Sequence, residues 1–366
     1  MDWWITVDVK ILYGICSWGL GHATRSLPII RKFIREGEEL TIISHGYSLE
    51  FLKSELKEEE IKYFDVKDYP IPVSETRGEL IAKSIVYWPK FMRRMDRGIR
   101  FVTKLSEKEK FDVIISDGRY DIYSRKIPSY FITHQVRILT PFRLRILEFG
   151  SEIFNLFFLR RFRKFLIPDY EEEDLSGKLS HNLKLIKKHH LAYIGVLSDF
   201  KKRGVRKDVD YLISLSGPEP QRGILEKILM EQIKELDGKI VFTLGRPDKN
   251  IVERNGNIEI YSIVNKEKRE ELMNRAKLII SRSGYSTIMD LAVIKTKALM
   301  IPTPGQIEQE YLAEYHNEKG TFYSVKQCDL ELKRDVEKAF DATGVKRKCS
   351  VEETVERVME ITYNVR

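Results

Sequence analysis

Residues 277–292 read KLIISRSGYSTIMDLA. An apolar run from Leu278 to Ile280 breaks into Ser281-Arg282-Ser283-Gly284, and a helix-compatible stretch follows with Ser286 and Thr287 in its first turn. Strand, tight glycine turn and helix are the parts of a parallel βα unit. Residues 10–26, KILYGICSWGLGHATRS, have the same syntax, with Gly14, Gly19 and Gly21 ahead of a helix opening near His22. Outward from these two stretches, short apolar runs alternate with amphipathic ones almost from end to end. Strands are predicted over 9–16, 40–44, 61–66, 112–117, 129–134 and 164–169, then over 211–216, 240–244, 258–261, 278–281 and 298–302. Helices are predicted over 224–236, 269–276, 287–294, 307–318 and 351–363. In the first half, Leu27, Ile30, Phe33 and Ile34 recur at helical spacing, as do Leu80, Ile81, Ile85 and Trp88. Runs such as TIIS and DVIIS are continuously apolar, as in strands covered by helices on both faces.

This pattern predicts an α/β protein of two Rossmann-like, doubly wound parallel-sheet domains facing each other across a cleft. The basic segment 198–208, SDFKKRGVRKD, neither alternates nor forms a helical stripe, and it marks the seam. Residues 1–197 then form one domain, 198–349 a second, and 350–366 a C-terminal helix. The length of 366 residues suits two domains, and 42% hydrophobic residues exclude a disordered chain. Cys16, Cys328 and Cys349 are odd in number and far apart, which excludes a disulfide framework or a cysteine zinc site and fits a cytoplasmic location. The opening Met1-Asp2-Trp3-Trp4 lacks the basic start of a secretory signal, and no run approaches the ~20 apolar residues of a membrane span. The net charge of +8 favours an anionic partner: nucleic acid, phospholipid headgroups or a phosphorylated small molecule.

Ligands of open parallel sheets sit at the carboxyl ends of strands. There, Gly19 and Gly21 permit close backbone approach, and His22 stands at the tip of the first loop. The bare N–H groups and hydroxyls of Ser283, Gly284, Ser286 and Thr287, beside Arg282, suit a diphosphate. Asp290, one turn on, is placed for ribose hydroxyls or is simply an acid favoured by the helix dipole. Glu308 and Gln309 follow the rigid Pro302–Gly305 loop and can read sugar hydroxyls or form an ordinary acidic helix start. Ser216-Gly217 precede another helix start, where Arg222 offers a further phosphate contact.

The order of these elements, a glycine-rich loop, then S-R-S-G-x-x-T-x-x-D, then P-x-x-x-E-Q, resembles that of the MurG-like glycosyltransferases with the two-domain GT-B fold. The resemblance covers most of the chain and is clearest over 210–313. It implies a UDP-sugar donor, N-acetylglucosamine by analogy, held by the second domain through Ser283, Gly284 and Thr287 on the diphosphate, Asp290 on the ribose, and Glu308 and Gln309 on the sugar. Leu312 replaces a frequent Asn. In the first domain, Gly19, Gly21 and His22 match the family's glycine loop and histidine, and FITHQ, with His134 and Gln135, matches the segment lining the acceptor side. Helix 351–363 is expected to cross back onto the first domain, as in similar folds.

Transfer to an acceptor hydroxyl needs a base and a stabilised leaving group. His22 is the first candidate base, His134 the second and Asp117 the third. A helix dipole with Arg282 and Arg222 can neutralise the departing diphosphate, so neither metal nor cofactor is expected. The one D-x-D string, Asp208-Val-Asp210, falls at the start of a strand and is assigned to structure. In-line attack predicts inversion at the anomeric carbon.

Residues 142–165, FRLRILEFGSEIFNLFFLRRFRKF, have two readings. One is a patch lying on anionic lipid at the inner face of the membrane, consistent with a lipid-linked acceptor. The other is a core stripe of Ile146, Phe149, Ile153, Leu156 and Phe157. Two further readings of the whole chain are a UDP-sugar 2-epimerase of the same fold and a non-catalytic basic protein binding membrane or nucleic acid. No nucleic-acid recognition signature appears, and none is expected as a partner.

Overall fold

The structure is a computed structural model describing residues 9–70, 77–140, 145–246 and 251–363, without the side chains of 77–85 and 145–147. Met1 to Trp4, residues 142–144 and the side chains of Leu80, Ile81, Ile85 and Ile146 therefore lie outside the described residues. The chain divides into two units, Met1–Asp199 with Ser350–Arg366, and Phe200–Cys349.

The first unit runs β1 (Lys10–Ile15), α1 (Gly21–Arg35), β2 (Glu39–Ser44), α2 (Gly46–Glu55), β3 (Lys62–Asp65), α3 (Arg77–Glu109), β4 (Val113–Asp117), β5 (Ser129–Ile132), α4 (Arg145–Leu159), β6 (Lys164–Ile167) and β7 (Leu191–Tyr193). Its seven strands form one parallel sheet in the order β3-β2-β1-β4-β5-β6-β7. Ile11, Leu12, Tyr13 and Ile15 of β1 are all buried, as a central strand covered on both faces requires. Of the predicted α1 stripe, Leu27, Ile30 and Phe33 are fully buried and Ile34 is partly exposed. The strand order reverses between β1 and β4, so the loops after these two strands flank the sheet's switch point.

The second unit runs β8 (Val209–Ser214), α5 (Gln221–Gln232), β9 (Ile240–Thr243), β10 (Val252–Asn255), β11 (Ile258–Tyr261), α6 (Lys266–Arg275), β12 (Ala276–Ser281), α7 (Tyr285–Ile294), β13 (Lys297–Met300), α8 (Ile307–Glu318), β14 (Tyr323–Ser324) and α9 (Leu332–Asp341). The sheet order is β10-β11-β9-β8-β12-β13-β14, parallel except for the β10–β11 hairpin. Gly256-Asn257, with Gly256 at φ +58°, supplies the tight turn. Sequence reading misses β10, whose four residues are all exposed, and the very short β7 and β14. It also starts α6 late: Asn265 caps that helix by accepting the Lys268 amide at 2.9 Å.

Helix α10 (Val351–Tyr363) is part of the first unit. Val355, Val358, Met359 and Thr362 are its buried face. Tyr130 Oη donates to the Ile361 carbonyl at 3.0 Å, Tyr363 Oη to Glu38 Oε1 at 2.6 Å, and Lys32 pairs with Glu356 at 2.7 Å. Val358→Ala removes two methyls from a fully buried position and is expected to cost about 2 kcal/mol in urea unfolding followed by circular dichroism. A change within ±0.5 kcal/mol would mean that this helix contributes little to the unit's stability.

Candidate functional site

The first unit gathers its polar groups where the loops after β1 and β4 meet the amino end of α1. Asp117, the last residue of β4, has no exposed surface. One of its oxygens accepts from Arg25 Nε at 2.8 Å and Ser26 Oγ at 2.9 Å, while the other meets Arg25 Nη2 and lies 2.7 Å from His22 Nδ1. Burial alone would raise the pKa of this carboxyl. The Arg25 guanidinium and the His22 imidazole outweigh that cost and hold it well below the usual carboxylate range. An ionised carboxylate only accepts, so its contact with His22 is a hydrogen bond from Nδ1, and Arg25 Nη2 lies 3.0 Å from the same nitrogen. The His22 side chain retains 23% of its exposure, which makes it the solvent-facing end of the dyad.

Gly118 makes this geometry possible. It sits at φ +73°, and a Cβ there would stand 2.7 Å from His22 Cε1. Only glycine satisfies both constraints. Its carbonyl accepts from Tyr69 Oη at 2.9 Å. Beside it, the fully buried Arg119 bonds Asp121 Oδ1 at 2.9 Å and Asp68 Oδ1 at 2.6 Å, and Asp68 Oδ2 accepts the Ser17 amide at 2.6 Å. The glycine loop carrying Gly19 and Gly21 is thereby tied to the β3 and β4 ends. His134, buried to 8%, lies with Nδ1 3.3 Å from Arg25 Nη1, and Gln135 follows half-buried.

These positions correct one candidacy. Asp117, with no exposure and its oxygens engaged, has no route to take a proton from an external hydroxyl; it stands behind His22 as an orienting group. Arg25, Gly118 and the Asp68–Arg119–Asp121 cluster are absent from the sequence reading. Arg25 alone carried a signal, since it sits three residues after His22 on the same helix face.

In the second unit, the helices following β8, β12 and β13 differ at their amino ends. Glu219 Oε2 accepts the Gly223 amide of α5 at 3.0 Å, and α8 has Glu308 and Glu310 in its first turn. Helix α7 has neither a side-chain cap nor a first-turn acid. Gly284 precedes it at φ −68° with open space where a Cβ would project, and Gly284, Ser286, Thr287 and Asp290 are partly exposed. Of these three amino termini, that of α7 is the one whose dipole is not already met by a carboxylate of its own turn.

Other donor-side candidates are committed elsewhere. Arg222 is buried against Glu219 and Glu226 and donates to the Leu244 carbonyl at 3.0 Å, so it braces α5 and is not directed at a ligand. Arg282 is also buried, donating to the carbonyls of Ile301 at 3.2 Å, Pro302 at 3.1 Å and Gln221 at 2.8 Å. Among the described residues its hydrogen bonds end on carbonyls, and burial pulls its pKa down to about 10. Through these bonds it holds the loops after β8 and β13 together. Ser283 donates its hydroxyl to the Gln309 carbonyl at 2.8 Å, so that hydroxyl is committed within the protein. Gln309 accepts the Thr303 amide at 3.0 Å and donates to Gln306 at 2.5 Å, so its amide organises its own loop. Glu308 is half-buried, and Ser216 and Gly217, the latter at φ +105°, lie on an exposed loop.

Asp208 pairs with Arg275 at 2.7 Å and Asp210 with Lys277 at 2.7 Å, at the amino end of β8. Asp169, Asp174 and His181 cluster in the first unit, but Asp169 accepts from the Tyr170, Leu175 and Ser176 amides and His181 Nε2 lies 2.9 Å from the Tyr170 carbonyl, so this group closes a loop.

Residues 226–356 match the model of the glycosyltransferase family 28 C-terminal domain, and residues 9–128 match that of glycosyl transferase family 1. The chain is 25% identical over 319 residues to an uncharacterized glycosyltransferase of Methanosarcina acetivorans, covering 82% of this chain and 80% of that one. It is 22% identical over 312 residues to the UDP-N-acetylglucosamine–N-acetylmuramyl-(pentapeptide) pyrophosphoryl-undecaprenol N-acetylglucosamine transferase of Clostridium tetani, covering 77% and 75%. The crystal structure of MurG from Acinetobacter baumannii superposes with a TM-score of 0.61 at 13% identity, over 98% of this chain and 100% of that one. The chain is a nucleotide-sugar glycosyltransferase of two α/β domains. Within that class it is MurG-like, with the GT-B fold. The matched families are those of glycosyltransferases, which favours that reading over the epimerase and non-catalytic ones.

The Arg25–Asp117 pair also predicts a pH signature. A carboxyl whose native pKa is depressed adds stability that is complete above its ordinary value of 3.8 and drains away as pH falls toward the native one. Asp117→Asn leaves the Arg25 charge buried and uncompensated, at an expected cost of about 3–5 kcal/mol at neutral pH. In urea titrations the gap between wild type and variant should be level from about pH 5 to 8 and shrink below about pH 4. A gap independent of pH down to about 2 would show that the carboxylate's charge is not what stabilises the site.

Proposed function

We propose that the protein transfers a sugar from a UDP-sugar to an acceptor hydroxyl with inversion at the anomeric carbon and without a metal. The observation carrying this reading is the amino end of α7, which has no acid of its own and lies in the same turn as the buried charge of Arg282. The backbone N–H groups around Gly284, Ser286 and Thr287 bind the diphosphate, Asp290 takes the ribose, and Glu308 faces the sugar. N-acetylglucosamine is the sugar named for the Clostridium tetani relative and is the first to test. The pairing of Asp208 and Asp210 with basic side chains supports a metal-free leaving-group site made of helix dipole and arginine.

On the acceptor side, His22 Nε2 takes the proton of the attacking hydroxyl. Its oxygen bonds to the anomeric carbon as the bond from that carbon to the diphosphate breaks, and the electron pair leaves with UDP. Asp117 holds the imidazole's orientation and stabilises the imidazolium formed, while Arg25 keeps Asp117 ionised. Gly19, Gly21 and Gln135 border the acceptor, and His134 contacts Arg25 without being the base. The acceptor is lipid-linked and the enzyme works at an anionic membrane surface. No helix among the described residues is long and apolar enough to cross a membrane. Contact is made instead by Phe149, Ile153 and Phe157 of α4, each at least 40% exposed. That exposure overturns their assignment to a core stripe.

Two measurements test the reading. UDP at a hundredfold excess over its dissociation constant should stabilise the protein by about 2.7 kcal/mol in excess EDTA, and Thr287→Glu, which places an acid in the α7 turn, should abolish that shift. A shift that needs a divalent cation defeats the metal-free site, and one that survives Thr287→Glu moves the diphosphate elsewhere. Separately, His22→Ala should lower transfer by about 10²–10⁴-fold while UDP still binds; near-normal turnover removes His22 from the base role.

A further inference from the structure

Helix α4 buries Phe158 and Leu159 in the core, with Phe154 and Leu156 packed against it, yet it does not sort polar from apolar groups cleanly. Its buried positions include Glu152 and Asn155, exposed by 1% and 0%, whereas Phe149, Ile153 and Phe157 are exposed by 40%, 52% and 53%. Buried polar groups and exposed large apolar ones are both exceptions that need a reason. The inner face is occupied in holding the segment that follows β5. Glu152 Oε1 accepts from Arg137 Nε at 2.8 Å, Asn155 Nδ2 donates to the Val136 carbonyl at 2.7 Å, and Ser151 Oγ accepts the Ile138 amide at 3.0 Å. Two residues before Val136 stands His134, in contact with Arg25 of the His22–Asp117 network. Asn155 Oδ1 also accepts from Tyr120 Oη at 2.7 Å, two residues after the Gly118 that seats His22. The polar face of α4 thus reaches both flanks of the site.

The outer face has chemistry of its own. Trp88 and Met92 of α3 are exposed by 52% and 47%, and Trp88 packs on Phe154 of α4 with ring centroids 6.4 Å apart. Lys90, Arg93, Arg97 and Arg100 recur at helical spacing and are exposed along α3, with Arg100 paired to Asp96 at 2.9 Å. Arg161 closes the end of α4, its guanidinium 4.4 Å from the Phe157 ring centre. The exposed rings of α4, with Arg161 on Phe157 and the exposed Arg160 and Arg163 just beyond, complement an anionic lipid surface, the rings entering the headgroup boundary and the cations meeting phosphates.

We infer that α4 is a connector whose outer aromatic face docks on anionic lipid and whose inner Ser151–Glu152–Asn155 face transmits that docking to the 133–139 segment of the site. Glu152 and Asn155 are positioning residues; they touch the loop and not the substrate. This inference rests on the membrane-contact reading above and adds a coupling between surface and site.

Amide hydrogen exchange with and without vesicles of phosphatidylglycerol and phosphatidylcholine tests it, with no need for the acceptor. Anionic vesicles should bind at low salt, protect 149–157 and slow exchange at 136–139 by about tenfold. In Glu152→Gln, vesicle binding should persist and the slowing at 136–139 should vanish. Phe149→Ser with Phe157→Ser should lose both. Because wild type alone decides the matter, the test survives poor folding of a variant. Vesicle binding with unchanged exchange at 136–139 overturns the coupling and leaves the membrane reading standing; no binding to anionic vesicles at low salt overturns both.

Discussion

The ion pair between Arg25 and Asp117 sets the terms for the first unit. Both groups are buried, and removing two charges from water costs several kcal/mol per ion unless every lone pair finds a donor. Asp117 meets that condition with Arg25, Ser26 and His22, all from the first turns of α1. The helix is consequently fixed to the end of β4 at one register, and the imidazole is fixed with it. A partly exposed histidine in a first helical turn would otherwise sample several rotamers, and the carboxylate that selects one of them is also what seats the helix.

A second buried cluster does for the loops what the first does for the helix. Arg119 joins Asp68 and Asp121, and Asp68 holds the Ser17 amide, so the chain just ahead of Gly19 is anchored to two other strand ends. Gly118 lies between the clusters, with a positive φ and no room for a side chain. The site is thus built on neutralised charge, and its tightest backbone position falls on a glycine.

Sequence periodicity made the strands legible because both sheets are covered on both faces, and continuous apolar runs follow from that burial. Helices α8 and α10 were readable end to end for the same reason. The site was legible only where a single turn carries it, as at His22 or Gly284. Asp117 and Arg25 are 92 residues apart and Asp68 and Arg119 are 51 apart, and no local pattern announces such pairs. Arginine misled for a related reason: Arg222 and Arg282 are expected from sequence to meet a phosphate directly, yet their donors are spent on carboxylates and carbonyls that only folding brings near. Helix α4 shows a further limit. Spacing reveals that a helix has two faces but not which one turns inward, and Glu152 and Asn155 turn inward because the segment after β5 supplies them with partners.

The two strand–glycine–helix turns that reveal the fold have opposite electrostatics. At the start of α1 the positive end of the helix already faces a carboxylate, Asp117, held by that helix's own side chains; a second anion there would meet like charge. At the start of α7 no cap and no first-turn acid answers the dipole, and Arg282 adds a buried positive charge whose bonds reach only carbonyls. Removing a guanidinium from water without a counterion is costly, and its lowered pKa reflects that burial. One turn thus presents an imidazole held by a buried carboxylate, the other a positive helix end beside a buried guanidinium. Under the proposed transfer the first would take the hydroxyl's proton and the second would face the leaving group.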